Sequence, residues 1–263
     1  MKIVRLQHQG AIRYGLWEDE NITLATGDPF SGLKPTSDKV ALKGAALLAP
    51  IEPPNIYCIG LNYMKHAKEG GAAVPEKPLM FLKTTTTLTH PGSQIVLPLA
   101  DPETVDYEAE LVIVIGKKVK NVSEDKALDY VLGYTCGNDV SCRGAQFSDK
   151  QWCRGKSFDT FCPLGPAINT DIADPNNLKI QLRLNGQTMQ NSNTSDMIFS
   201  CRKIVSYLSY VGTLLPGTVI MTGTPEGVGF ARKPPVYLKE GDRTEVEIEG
   251  IGVLSNSVVA EKA

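Results

Sequence analysis

The sequence predicts a mixed α+β fold dominated by β-structure: a rolled or barrel-like sheet with few helices and a small β appendage at the N-terminus. Three observations carry that prediction. Short runs of alternating apolar and polar residues, the period of a half-buried strand, recur along most of the 263 residues. Only three stretches read as helices. No internal repeat or low-complexity tract appears.

In chain order, "KIVRLQ", "RYGLWED" and "NITLAT" alternate as strands of a small domain over residues 1–50, and the proline-dense linker "LAPIEPPN" separates it from a main domain over residues 51–263. "IYCIG" reads as a strand ending at Gly60. "NYMKHAKEGG" reads as a short helix capped by Asn62 and ended by Gly70 and Gly71. "PLMFLK" and "QIVLP" are expected strands around a threonine-rich segment. "SEDKALDYVLG" has the plainest helical pattern, with Ser123 as N-cap, acids in the first turn and Gly133 after the last. Towards the C-terminus, "LKIQLRLNGQTMQ" reads as a hairpin around Asn185-Gly186, "GTVIMTGT" as a buried strand and "RTEVEIEGIGVLSNSV" as two more. One helix, "MIFSCRKIVSYLSYVG", interrupts them.

Composition narrows the function. With 42% hydrophobic residues, 21% charged and a formal net charge of -2, the chain has no basic surplus with which to hold a polyanion, so no nucleic-acid partner is expected. No apolar run approaches the roughly 20 residues that span a bilayer, and no membrane association is expected. The N-terminus alternates like a strand rather than forming a signal-peptide core. The chain therefore reads as cytoplasmic, or mitochondrial where a presequence has been removed. Six scattered cysteines without a C-x-x-C pair read as reduced and structural. With only His8, His66 and His90, any metal is expected to be a hard ion bound by oxygen.

The segment "VDYEAELVIVIG" puts Asp106, Glu108 and Glu110 on one face of an extended chain. Alternate residues on a strand are roughly 6.5–7 Å apart, so neighbouring carboxylates either share a cation or repel one another. A solvated face opposite Lys or Arg is the competing reading, and the Leu-Val-Ile-Val-Ile run that follows favours burial. Asp139, at the end of the expected strand "GYTCGND", is placed to add a third carboxylate, although an Asp after Asn is also an ordinary turn residue. Arg143, Gln146 and Lys156 downstream supply donors for a carboxylate-bearing substrate, and each reads equally well as a surface residue. His66 and Glu69, three apart on a short helix, share a face. They form either an oriented general base or a surface pair beside Lys65 and Lys68. "TGTPEGVG" lacks the Gly-Lys-Ser/Thr of a P-loop, and its backbone and Thr224 either hold a small anion or make a tight turn.

Taken together, "GLNYMKHAKE", "DYEAELVIVIG", "NDVSCRGAQ…KQWCRGKSFDTFCPLGP" and "MTGTPEGVGF" closely resemble the fumarylacetoacetate hydrolase (FAH) superfamily over roughly residues 50–258. "KSFDTFCPLGP", "DPNNLKI", "SNTSDMIFS" and "RKPPVYLKEGD" resemble the branch typified by fumarylacetoacetate hydrolase domain-containing protein 2. The resemblance implies an FAH-type β-roll, a homodimer, and one Mg²⁺ or Mn²⁺ ion held by Glu108, Glu110 and Asp139, with Asp106 behind the ligands. It implies catalytic roles for His66, Glu69 and Lys156, and substrate contacts for Arg143, Gln146, Thr224 and Lys83. The chain departs from the pattern at "CRG", where Gly144 lacks an acid, in a shortened segment between Gln146 and Gln151, and at Lys65, which replaces an aspartate.

The implied substrate is a small 2-oxo acid or β-dicarbonyl compound that is enolised by loss of a C3 proton. The leading expectation is oxaloacetate keto–enol tautomerase. The alternatives are an acylpyruvase-type C–C hydrolase, an oxaloacetate-type decarboxylase and, in another class, a catalytically idle metal- and oxo-acid-binding relative.

Overall fold

The structure is a computed structural model that describes residues 1–262. The N-terminal residues form an antiparallel meander of β1 (Lys2–His8), β2 (Ala11–Glu18), β3 (Asn21–Asp28) and β4 (Gly32–Ala41), with β5 (Ala46–Leu48) returning beside β1. Next come β6 (Ile56–Gly60), α1 (Met64–Glu69), β7 (Leu79–Lys83), β8 (Leu88–Thr89), β9 (Gln94–Leu97), β10 (Val105–Asp106) and β11 (Ala109–Ile115). The middle of the chain holds β12 (Val131–Asn138), β13 (Ser141–Cys142), α2 (Arg143–Asp149), α3 (Cys153–Lys156) and β14 (Cys162–Asn169). The remainder comprises β15 (Lys179–Leu184), β16 (Gln187–Asn193), α4 (Cys201–Val211), β17 (Val219–Met221), β18 (Arg243–Ile248) and β19 (Gly252–Ala260).

One large mixed sheet runs β4-β3-β2-β1-β14-β12-β11-β17-β6-β7, so the N-terminal meander joins the main body edge to edge through β1 and β14. A second sheet, β16-β15-β18-β19-β9, lies over its centre. The β-dominated class read from the sequence is the one observed. Strand β11 is buried on both faces. Leu111, Ile113 and Ile115 pack with Ile180, Val246 and Leu254 of the second sheet and with Ile204 and Leu208 of α4, while Val112 and Val114 pack on the opposite side with Ile3, Leu164 and Met221. The hairpin turn Asn185-Gly186 takes positive φ at both residues, as its sequence requires. Among the described residues no helix is long and apolar enough to cross a membrane.

Several local expectations differ. "SEDKALDY" forms a 3-10 helix, Glu124–Tyr130, rather than an α-helix, and Ser123 makes no side-chain cap. The β-forming "VLGYTCGN" that follows is claimed by pairing with β11 and β14, which overrides the helical pattern in front of it. Gly133 therefore lies inside β12, not at a helix end. Asn62 does not cap α1. Its amide accepts from Phe199 N–H at 2.8 Å and donates to Thr222 O at 2.7 Å, tying the start of α1 to the end of β17. The acidic segment is two strands rather than one, because β10 leaves the sheet to pair with β13.

Gly133 offers a check on that correction. A Cβ there would lie 2.4 Å from Asn169 O and 2.8 Å from Ile168 Cγ2. Gly133→Ala is expected to destabilise the protein by about 1–3 kcal/mol in urea unfolding. At an exposed helix end, the same change would be near neutral.

Candidate active site

Four strand ends meet at one edge of the large sheet: the C-terminal ends of β6, β12 and β17 and the N-terminal end of β11. The ladder between β11 and β12 continues past the strands in altered form. Asn138 Oδ1 accepts from Glu108 N–H at 2.9 Å, and Asp139 N–H donates to Glu108 O at 2.9 Å. This side-chain substitute for a ladder bond fixes Glu108 beside Asp139. Glu110, two residues along, accepts from Gly223 N–H at 2.7 Å through Oε2. Oxygens of Glu108, Glu110 and Asp139 all lie within 4.8 Å of one another, and the three residues are buried.

Buried cations surround them. Lys156 Nζ lies 2.8 Å from Glu108 Oε2 and 2.7 Å from Asp139 Oδ2, and Lys83 Nζ lies 2.5 Å from Asp139 Oδ1. Arg143 donates through Nε to Asp106 Oδ2 at 2.9 Å and through Nη1 to Gln146 Oε1 at 2.9 Å. Its Nη2 stands 2.7 Å from Glu108 Oε1 as an ion contact without hydrogen-bond alignment. Asp106 turns away from the triad into a nest made by the N–H groups of Gly229 and Phe230, at 2.8 and 3.0 Å. Only glycine fits at 229, since a Cβ would meet Asp106 Oδ1 at 2.5 Å and Val236 O at 1.9 Å.

The charges pull the carboxyls apart in behaviour. Burial pushes Glu108 up, but Lys156 and Arg143 outweigh it and hold the group down at about 2. Glu110 has no cation of its own. Burial first, then the charges of Asp139 and Glu108, push it well above its ordinary range. For Lys156, burial acts downward and is outweighed by Asp139 and Glu108, so its ammonium is held above the ordinary lysine value. With every group ionised, the cluster sets four carboxylates against three cations, and its donors are hard oxygens. A divalent cation fits both the donor set and the residual charge.

His66 Nδ1–H donates to Glu69 Oε2 at 3.3 Å, which leaves Nε2 unengaged. Burial pushes the Glu69 carboxyl up, but the hydrogen bonds from His66 and from Gly227 N–H hold it below its usual value. A cavity of about 220 Å³ brings together His66, Glu108, Glu110, Asp139, Arg143, Gln146, Lys156 and Thr224, with Trp152, Phe81, Phe147 and Phe230 forming its apolar walls. Lys83 lies behind this set, spent on Asp139 and Val140 O. Arg143 lines the cavity with Nε and Nη1 engaged by Asp106 and Gln146 and Nη2 left without a hydrogen-bond partner among the described residues. Two departures from the family pattern have local explanations. Gly144 leaves room for the Asp101 carboxylate, which a Cβ would approach to 2.1 Å. Lys65 faces Glu226 at 3.7 Å and donates its N–H to Asp196 at 3.0 Å.

Sequence reasoning missed Asn138, Gln190 and the wall residue Trp152. Gln190 Oε1 accepts from Ala109 N–H at 2.8 Å, and its Nε2 donates to Thr224 Oγ1 at 2.8 Å and Pro225 O at 2.9 Å. It comes from β16 in the other sheet, and only its polarity in a strand that packs inward marks it. Trp152 packs on Gly60, where a Cβ would lie 2.2 Å from its ring. Helices α2 and α3, which carry Arg143, Gln146 and Lys156, were also unforeseen. They abut at Gly155, whose Cβ would meet Gln146 N at 2.6 Å.

The isolation of Glu110 has a measurable consequence. A buried carboxyl raised above its ordinary value of 4.5 costs stability as pH rises through and beyond that value, because the folded state then holds a proton the unfolded state has released. In EDTA, stability is expected to fall as pH rises above 4.5, and Glu110→Gln is expected to flatten that slope and raise the Tm by roughly 2–6 °C. Mg²⁺ should raise the Tm of the wild type and leave that of the variant unchanged.

Comparison with known proteins agrees with this arrangement. The family model "Fumarylacetoacetate (FAA) hydrolase C-terminal" matches residues 55–259, and the model "Rv2993c-like, N-terminal" matches residues 1–50. A Dictyostelium discoideum fumarylacetoacetate hydrolase domain-containing protein 2 homolog is 50% identical over 233 residues, covering 84% of this chain and 76% of that protein. A Xenopus laevis protein named oxaloacetate tautomerase fahd2, mitochondrial, is 50% identical over 219 residues, 81% of this chain and 68% of that one. The crystal structure of a 5-carboxymethyl-2-hydroxymuconate delta-isomerase from Mycobacterium smegmatis superposes with a TM-score of 0.89 at 39% identity, covering 99% of this chain and 100% of that one. The chain belongs to the fumarylacetoacetate hydrolase family of metal-dependent enzymes.

Proposed function

We propose that this protein is an oxaloacetate keto–enol tautomerase in which Glu108, Glu110 and Asp139 hold Mg²⁺ or Mn²⁺. The observation that carries the reading is the meeting, in one small cavity, of a buried three-carboxylate cluster with an imidazole oriented by its own carboxylate. The name of the Xenopus laevis relative supports oxaloacetate as the substrate. When bound, the ion supplies positive field for the carboxylate and keto oxygens of a 2-oxo acid and for the charge that develops on the keto oxygen.

The chain's own residues divide the remaining work. His66, with Nδ1–H committed to Glu69, presents Nε2 as the base that takes the C3 proton of the keto form and delivers it to the keto oxygen to give the enol, the reverse transfer regenerating the keto acid. Lys156 is not that base. Its two carboxylate partners keep it protonated, so it contributes charge near the enolate oxygen. Gln146 gives its carbonyl oxygen to Arg143, and its NH₂ is left to donate to the distal carboxylate. Lys83 holds Asp139 in place, and Arg143 holds Glu108 charged and in place.

We also read residues 1–50 as a small N-terminal domain and residues 51–263 as the catalytic domain, a division supported by the spans of the two family models. The free edge of β7, with Leu79, Met80 and Leu82 exposed, supports a homodimer. The compartment we propose is the cytoplasm, or the mitochondrion for a form made with a presequence, as the name of the Xenopus laevis relative indicates.

With Mg²⁺ present, enol-oxaloacetate absorbance should decay faster than in the uncatalysed control without release of pyruvate. Pyruvate production would make the protein a decarboxylase, and acetate release from acetylpyruvate would make it a hydrolase. His66→Asn should lower kcat by about 10²–10⁴-fold while oxalate affinity, measured by calorimetry, stays within about threefold.

A further inference from the structure

Thr224 Oγ1 accepts a hydrogen bond from Gln190 Nε2 at 2.8 Å, and its own hydroxyl hydrogen has no acceptor among the described residues. The orientation of the Gln190 amide is not free. Its oxygen is required by Ala109 N–H at 2.8 Å, so its nitrogen must face Thr224 Oγ1 and Pro225 O, and both of these accept. Gln190 and Thr224 are both buried, and Thr224 lines the cavity next to Gly223, whose N–H donates to Glu110. With one lone pair taken by an amide that can only donate, the hydroxyl has to aim its hydrogen elsewhere. The cavity is the side that holds no protein acceptor for it.

We propose that Gln190, a residue with no place in the mechanism above, is a positioning residue that turns the Thr224 hydroxyl hydrogen away from the protein and towards an anionic oxygen of the substrate. The inference rests on the reading of the site as one for 2-oxo acid anions. Its physical content is a direction. A threonine hydroxyl has one hydrogen and two lone pairs, and Gln190 occupies one lone pair, so the hydrogen cannot turn back onto Gln190 and stays available to a ligand oxygen. The ligand atom it serves is a carboxylate or enolate oxygen. The same amide oxygen pins the first residue of β11, so one side chain sets both the donor and its distance from Glu110.

The test is a binding cycle with oxalate as the probe, in excess Mg²⁺, read by calorimetry on wild type, Gln190→Glu, Thr224→Val and the double variant. Glutamate at 190 still accepts from Ala109 N–H but turns an acceptor towards Thr224, which reverses the hydroxyl. Each single change is expected to weaken oxalate binding about tenfold or more, the size of one hydrogen bond to a charged group. The double variant should bind within about twofold of Thr224→Val, because Gln190 acts through Thr224. Gln190→Met, which frees the hydroxyl without reversing it, should lose less than Gln190→Glu, and it serves in place of that variant if the glutamate prevents folding. Mn²⁺ affinity without oxalate should stay within about twofold of wild type in all variants. Multiplying losses in the double variant, or parallel loss of Mn²⁺ binding, would overturn the proposal and leave Gln190 a merely structural residue. A wild type that turns over no oxaloacetate yet binds oxalate in this non-additive way defeats the tautomerase reading alone, and a wild type that binds no oxalate defeats both.

Discussion

Three carboxylates that repel one another are held within 4.8 Å, out of water, at the edge of a sheet. Unit charges about 4 Å apart near a protein surface interact by on the order of 4 kcal/mol, so the arrangement exists only because other features oppose the repulsion. The two-sided burial of β11 prevents the strand from rotating to give its acids to solvent, since a turn of one residue would exchange Leu111, Ile113 and Ile115 for Val112 and Val114 in two separate cores. Asn138 and Asp139 grip the Glu108 peptide from both sides. Three buried cations then supply the counter-charge from β7, α2 and α3, which explains why two helices of seven and four residues are retained where neither would be stable alone.

The same cations assign the chemical roles. A lysine between two carboxylates is a poor base at neutral pH, and an arginine stays protonated throughout. On the proposed reading proton transfer falls to His66, whose imidazole has its Nε2 unengaged and lines the cavity. The remaining polar groups have their direction set from behind. Arg143 takes the oxygen of Gln146 and leaves its NH₂, and Gln190 takes a lone pair of Thr224 and leaves its hydrogen. The cavity thus combines donors with a carboxylate cluster.

Much of this was legible in the sequence where a local rule coincided with the tertiary structure. Alternation along "AELVIVI" fixed which side chains share a face, and Asn185-Gly186 named its hairpin because both residues had to take positive φ. Glu108, Glu110, Asp139, His66, Lys156, Arg143, Gln146 and Thr224 were all singled out, and the structure brings them to one cavity, with Glu69 behind His66. The misses share a cause. Ser123 and Gly133 look like helix caps only while β12 is unpaired, and Asn62 looks like a cap only while its true partners, Phe199 and Thr222, are far away in sequence. Asp106 was grouped with the ligands on strand period alone, although the resemblance placed it behind them. The sequence does not show that β10 leaves the sheet before Glu108. Gln190 carries no local pattern, because its three bonds all cross between sheets.

Polarity and wall chemistry together bear on which reaction the site favours once a proton has left C3. Hydrolysis of a C–C bond needs a water held in line with a second carbonyl, and an ordered water needs two or more polar partners. Beside the carboxylates and the cations paired with them, the described residues lining the cavity include the apolar Ile59, Phe81, Phe147 and Phe230 and the indole of Trp152, with His66, Gln146 and Thr224 as polar side chains. If a dicarboxylate engages Gln146 and Thr224, His66 alone remains, and one imidazole can either carry the C3 proton or activate a water but cannot anchor that water as well. Proton exchange at carbon requires no further group. A substrate that is fully anchored by its two carboxylates therefore meets a site equipped to enolise and reprotonate it, which is the chemistry of a tautomerase.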